Sequence, residues 1–240
     1  MFAYVRLEIR RALRDKGYVF FGIGMPVLMY LLFTRLGAGG SAADWKLYSM
    51  VGLAAYGALG AAFGPGGGVA EDKSLGWLRQ LRSIPLSPAQ VVVGRGLTGS
   101  VTVLPALGAV LLVGGLVNGV RLAVWQWAAL VVLLWLGTVP FTLLGLGNGY
   151  RLSSQATGLV NTGCLLVLSI VGGLWFPAAA FPGWLRTLSG WTPANRFADL
   201  GLSVAHGGAP SLATVAILAA WLALFGGYAV YAYRRAARTV

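Results

Sequence analysis

Six apolar runs, at residues 17–36, 47–70, 97–120, 122–150, 155–176 and 212–233, alternate along the chain with polar or proline-broken segments. Each run approaches or exceeds the roughly 20 residues that cross a bilayer. Backbone groups in hydrocarbon must be satisfied within their own segment, so these runs are predicted to be helices. The first run follows basic residues and precedes small ones, Ala38 to Ala43, as a secretory signal would. It is longer than the usual apolar core of such a signal and reads as a retained span. Trp45, Trp125, Trp127, Trp175, Tyr18, Tyr150 and Tyr233 fall near predicted ends, where amphipathic rings favour the membrane interface.

Three segments are too polar or too broken to cross. In residues 1–16, Phe2, Val5, Ile9 and Leu13 form one helical stripe and Arg6, Arg10 and Arg14 another. Two readings fit: an amphipathic helix lying on the inner membrane surface, or a basic topology anchor. Residues 71–95 form the longest connection on that side. Leu75, Leu78 and Leu81, with Trp77, mark an apolar face on a short helix whose other side carries Arg79 and Arg82, and Pro85 ends it. Trp77 there is either a plug for a partner's socket or a ring packed on the inner leaflet. Residues 177–210 space Pro177, Pro182 and Pro193 among Trp184, Trp191 and Phe181, which forbids one continuous crossing helix and predicts short re-entrant or interfacial pieces. With no internal repeat or low-complexity tail, residues 1–240 read as a single domain.

Composition agrees with a membrane solvent. The chain is 58% hydrophobic and 10% charged, with a mean hydropathy of +0.77, so it has too few polar residues to cover a soluble globule. The net charge of +12 does not point to nucleic acid, because Lys and Arg flank the apolar runs and do not cluster on one face. They alternate instead. Of 18 basic residues, all but five lie in the N-terminal segment, the 71–95 connection, at Arg151 or at the C-terminus; Arg35, Lys46, Arg121, Arg186 and Arg196 occupy the other gaps. Cytoplasmic loops retain Lys and Arg, so both termini are expected inside a multi-pass cell-membrane protein.

Catalytic chemistry has little to stand on. The single histidine, His206, sits beside Gly207 and Gly208 in a predicted outer loop, and Cys164 is alone in an apolar run. None of the six acids lies deep within a span, which leaves no buried carboxylate for proton relay or cation binding. Gly67, four residues, then Asp72-Lys73-Ser74 is one substitution from a phosphate-binding loop, but Asp72 replaces the glycine that lets amides cradle phosphate. Polar residues within runs, among them Asn148, Asn161, Ser169 and Thr142, are suited to bonding between helices. Asn161 and Ser169, eight apart, share a helix face and are candidates to line a pathway, with Phe21 and Met25 of the first run. Gly60, Gly64 and Gly68, at four-residue spacing, allow close helix approach, and Gly64-Pro65-Gly66-Gly67 is expected to distort the second span.

Glu71-Asp72-Lys73-Ser74-Leu75-Gly76-Trp77-Leu78 with Ile84-Pro85-Leu86-Ser87, and Gly172-Gly173-Leu174-Trp175-Phe176-Pro177 with Phe181-Pro182-Gly183-Trp184-Leu185 and Pro193, resemble the type-2 ABC exporter permeases. These are six-span subunits of drug, antibiotic and lipid exporters, and the likeness covers nearly the whole chain. Where family members commonly have Gly-Thr in the coupling segment, this chain has Leu75-Gly76. The resemblance implies an all-α polytopic protein that dimerises with a second copy or a paralogue. Each copy would pair with a separate ATPase subunit that binds ATP and Mg. Docking on that ATPase would involve Glu71, Lys73, Trp77, Leu78, Leu81 and Arg82, with Arg10 and Arg14; Trp175, Phe176 and Phe181 would close the exit. The substrate would be amphipathic or hydrophobic: a drug, antibiotic, peptide or lipid. The rival readings are an ion-coupled secondary carrier, which would need an intramembrane ionisable group, and a structural membrane protein, which would leave the Trp77 helix unexplained.

Overall fold

The computed structural model describes residues 14, 16–36, 42–74, 92, 94–96 and 99–238. Its regular structure is helical throughout these residues. A wide π-helical stretch, Tyr18–Gly24, runs directly into α1 (Met25–Leu36). Then come α2 (Ala42–Ala62), α3 (Gly64–Ser74), α4 (Val103–Leu116), α5 (Val124–Gly137), α6 (Val139–Arg151) and α7 (Ser154–Val171). A single 3-10 turn (Ala178–Ala180), two short helices, α8 (Gly183–Trp191) and α9 (Pro193–Ala205), and the long α10 (Leu212–Arg238) complete the chain.

Prolines set the irregularities. Pro26 has no amide to return to the Gly22 carbonyl, and the ladder upstream widens by one residue, with the Met25 amide bonded to the Phe20 carbonyl. Pro65 breaks the second span at Phe63. The Phe63 amide turns back to the Gly60 carbonyl at 3.3 Å and the Gly66 amide to the Phe63 carbonyl at 3.1 Å, after which helix resumes. Pro140 in the first turn of α6 follows a joint at Thr138, whose hydroxyl donates to the Trp135 carbonyl at 2.6 Å.

Five helical stretches are long and apolar enough to cross a membrane: Tyr18–Arg35, Ala42–Ser74, Val124–Arg151, Ser154–Val171 and Leu212–Ala237. The predicted run at 97–120 contributes α4, a shorter apolar helix of 14 residues. Thus the broken pairs α2–α3 and α5–α6 each count as one span, and helix continues through Ser74, past the expected start of the 71–95 connection.

Two buried clusters hold the bundle. The larger gathers Tyr30 of α1, Met50, Leu53 and Leu59 of α2, Leu107 and Val110 of α4, Leu130 and Leu134 of α5, Phe141 of α6 and Phe197 of α9. The smaller joins Val69 of α3, Leu143, Leu146 and Tyr150 of α6, and Phe225, Ala229 and Tyr233 of α10. Water gives no drive for helix association inside lipid, so close packing and hydrogen bonds do the holding. The α2–α3 span is mostly enclosed by its neighbours, whereas α1, α7 and α10 present most of their surface outward.

The basic residues are sorted between the two ends of this bundle. At one end, Tyr150 meets Tyr233 edge to face with centroids 5.2 Å apart and Lys73 bonds the Tyr150 carbonyl, which gathers the helix ends that carry Arg151, Arg234 and Lys73, with Arg95 paired to Asp72. At the other, Asn118 donates to the Thr34 hydroxyl at 3.4 Å and the Trp45 indole to the Phe33 carbonyl at 2.7 Å, which gathers the Arg35, Lys46 and Arg121 turns.

Candidate functional site

The end rich in basic residues is built around the terminus of α6. The last carbonyls of a helix have no partner within it and carry the negative end of the macrodipole. Lys73, in the last turn of α3, answers them: its ammonium donates to the carbonyls of Leu152 (2.6 Å), Tyr150 (3.1 Å) and Gly149 (3.3 Å). An ammonium has three donors, and all three are used. One residue earlier, Asp72 pairs with Arg95 at 2.7 Å, which closes the chain across the 23-residue interval from α3 to the stretch before α4.

Of the expected coupling residues, Glu71 and Arg14 are exposed, whereas Lys73 turns inward to α6. Trp77, Leu78, Leu81, Arg82 and Arg10 lie outside the described residues, as do Leu75, Gly76 and Arg79. The near-match to a phosphate loop is helical from Gly67 to Ser74, so its amides are spent in the ladder and its lysine on α6. That geometry offers no cradle for phosphate.

Deeper in the bundle a chain of neutral polar groups links four spans. Tyr228 of α10 donates to Asn148 Oδ1 at 2.9 Å, and Asn148 Nδ2 to Asn161 Oδ1 of α7 at 2.9 Å. Asn161 Nδ2 in turn donates to the Phe63 carbonyl, at the break in the second span, at 3.3 Å. Here α3 and α6 touch backbone to backbone. A Cβ on Gly66 would overlap the Gly145 carbonyl, and one on Gly149 would overlap that of Gly66. The close approach expected at Gly60, Gly64 and Gly68 is therefore made by Gly66: a Cβ on Gly64 or Gly68 would meet nothing within 4 Å, and on Gly60 only Leu165 at ordinary contact. The spacing rule picks out a helix face, and the break at Phe63 together with the approach of α6 decides which face is used.

The candidate pathway residues separate into two sets. Asn161 and Ser169 are buried in the bundle, while Phe21 and Met25 face outward from the first span, so one copy of the chain does not bring them together. The candidate exit residues do lie near one another. Trp175 meets Tyr56 edge-on at 5.6 Å, Phe176 meets Phe33 at 5.2 Å, and Phe181 caps the 3-10 turn. The turn after α7 is anchored by Tyr48, whose hydroxyl donates to the Gly173 carbonyl, and by Asn195 Nδ2, which donates to that of Gly172 at 3.1 Å. Gly173 takes φ +73°, a conformation open to glycine at little cost.

Tyr228 is the member of the network that hydrophobic patterning misses, since a tyrosine within an apolar run reads as bulk. A signal does exist in α6, where Gly145, Gly147 and Gly149 alternate with large residues. A Cβ on Gly147 would overlap the Tyr228 ring, just as the flanking glycines admit Phe63 and Gly66.

This arrangement holds helices and offers no reacting group. Among the described residues no cluster of His, Cys, Asp and Glu could bind a metal. A helical bundle with five stretches long and apolar enough to cross a membrane, a basic end and a neutral polar interior is that of a multi-pass membrane protein. The chain matches the family model of the ABC-2 type transporters over residues 1–204, and it belongs to that family. It is 24% identical over 223 residues to "Putative transport permease YvfS" of Bacillus subtilis (strain 168), covering 91% of this chain and 90% of that one. It is accordingly a multi-pass membrane permease component of an ABC-type transport system, a transport subunit and not an enzyme.

Proposed function

We propose that this chain is the membrane half of an ATP-driven exporter, working as a dimer with a second copy or paralogue, each copy docked on a separate ATPase subunit. The observation that carries this reading is the match to the ABC-2 family along residues 1–204, taken with the braced end where α3 leads into the 75–91 connection. In this reading six spans place both termini in the cytoplasm, with α4 and the residues before it forming the third span. ATP and Mg bind on the partner, and closure of the two ATPases pushes on the connection around Trp77 and on the N-terminal segment.

Lys73 supports transmission of that push. A displacement at the end of α3 reaches α6 through the ammonium, and reaches α7 and α10 through Asn148, Asn161 and Tyr228. Bundles of this kind shift as rigid bodies between two packings, which suits alternating access. The substrate is amphipathic or hydrophobic, since no Asp, Glu, Lys, Arg or His is buried among the described residues to offer a counter-ion. Trp175, Phe176 and Phe181, with α8 and α9 dipping into the outer interface, close the exit.

The test is co-expression with the ATPase subunit, pull-down, and hydrolysis in reconstituted membranes. A well-packed interfacial Trp is typically worth about 2 kcal/mol or more, so Trp77→Ala should weaken docking at least about tenfold, the factor that about 1.4 kcal/mol represents. Arg35→Ala, at the far end, should leave docking unchanged. The reverse pattern would overturn both the coupling assignment and the orientation.

A further inference from the structure

At the end opposite Lys73, α4, the 117–123 turn and α5 enclose a groove of about 760 Å³. Its walls are Gly108, Leu111, Leu112, Trp127 and Val131, and Arg121 stands at its rim. We propose that the groove binds one acyl chain of an anionic phospholipid, with Arg121 holding the headgroup phosphate.

Four observations converge. The volume lies in the range of about 300–1,000 Å³ typical of ligand pockets, and its lining is apolar apart from Arg121. From Gly108 to Leu116 the helix rises through eight steps, about 12 Å at 1.5 Å per residue. That depth is close to the roughly 15 Å of hydrocarbon in one leaflet, half of a core about 30 Å thick. The groove opens on a lipid-facing surface, where Leu112, Leu116 and Val124 are more than half exposed. Arg121 is exposed and has no carboxylate partner among the described residues. A guanidinium presents paired donors that match phosphate, and its complement at this depth is a lipid headgroup.

The groove is also prebuilt. Gly119, at φ +68°, lets the Val120 amide close onto the Gly114 carbonyl at 3.0 Å, which ends α4 tightly and fixes the turn that carries Arg121. Gln126 then pins the start of α5. Its Oε1 accepts from the Ala123 amide at 2.8 Å, and its Nε2 donates to the last carbonyls of α9 at Val204 (2.9 Å) and Ala205 (3.1 Å). The Trp127 ring lies over Gly115, 3.3 Å from where a Cβ would stand, and closes one side.

Gly108 supplies a clean test, because a Cβ there would meet nothing within 4 Å. Gly108→Leu fills the groove without a backbone clash and raises helix propensity. Full-length permease would be extracted into mild detergent with palmitoyl-oleoyl phosphatidylglycerol or phosphatidylcholine and weighed intact by native mass spectrometry. Wild type should retain one phosphatidylglycerol with at least about tenfold preference over phosphatidylcholine, and glycerol phosphate should not displace it. Arg121→Ala should lose the preference, Arg121→Lys should keep part of it, and Arg35→Ala should keep all of it. Gly108→Leu should lose retention of both lipids. Thermal unfolding, read by labelling of Cys164, establishes that each variant is folded. Equal retention of the two lipids by wild type, displacement by glycerol phosphate, undiminished preference in folded Arg121→Ala, or undiminished retention in folded Gly108→Leu would each overturn the proposal.

Discussion

Replacing Asn161 by leucine removes two hydrogen bonds from the bundle interior and strands the donors of Asn148, which is itself buried. Hydrogen bonds between helices in lipid average about 0.6 kcal/mol, so the lost pair accounts for about 1.2 kcal/mol. The stranded Asn148 amide adds about 1–3 kcal/mol, the cost of a buried polar group left unsatisfied. The Phe63 carbonyl adds little, because the Gly66 amide still reaches it at 3.1 Å. The expected total is about 2–4 kcal/mol. Removing every member should cost less than removing one: with Asn148→Leu, Asn161→Leu and Tyr228→Phe together, no donor is left without an acceptor, and replacement of all partners by apolar groups is close to neutral. The assay is thermal or denaturant unfolding in detergent, followed by thiol labelling of Cys164, the one cysteine of the chain, which sits half-buried one turn along α7 from Asn161. If the triple variant is destabilised by the sum of its single variants, the polar groups contribute independently and the network argument is wrong.

Gly66→Ala should destabilise by about 1–3 kcal/mol or prevent assembly, as overpacking does, because its Cβ meets the α6 backbone; Gly68→Ala, with open space, should be neutral or stabilise by up to about 1 kcal/mol through helix propensity. The same unfolding assay separates them. Lys73→Met should fray the end of α6, raising hydrogen exchange over residues 149–153 and lowering stability by about 1–2 kcal/mol, within the range for charge-assisted bonds but reduced by partial exposure; Lys73→Arg should recover part of it. Asp72→Asn should cost no more than about 1 kcal/mol, since the Arg95 pair is open to water at 26% and 40% side-chain exposure. Single cysteines near Arg79 and Arg238 should resist an impermeant thiol reagent in intact cells carrying Cys164→Ala, while those at Ala42, Gly119 and Gly208 should react; labelling at position 79 would reverse the orientation.

What the chain's own pattern determined is its solvent and its class. Apolar runs of bilayer length, with Lys and Arg sorted between alternate gaps, require helices that satisfy their own backbones, and this is local physics that needs no neighbour. Prolines at 26, 65 and 140 likewise mark where a ladder has to change, because a missing amide acts within one turn. Which face of each helix meets another was left to the tertiary structure. Gly60, Gly64 and Gly68 satisfy the close-packing spacing as well as any set, yet Gly66 makes the contact, because the break at Phe63 and the glycines of α6 decide where two backbones meet. Lys73 shows the same division. Its charge was plain in the sequence, which put it in the 71–95 connection, but the helix runs on through Ser74, its acceptors lie 76 to 79 residues away, and only the packing of α3 against α6 turns this cation into a cap. Asn148, Asn161 and Tyr228 were visible as polar positions in apolar runs, and their union into one network exists because three helices and the broken turn at Phe63 converge at a single depth, where hydrocarbon leaves no other partner.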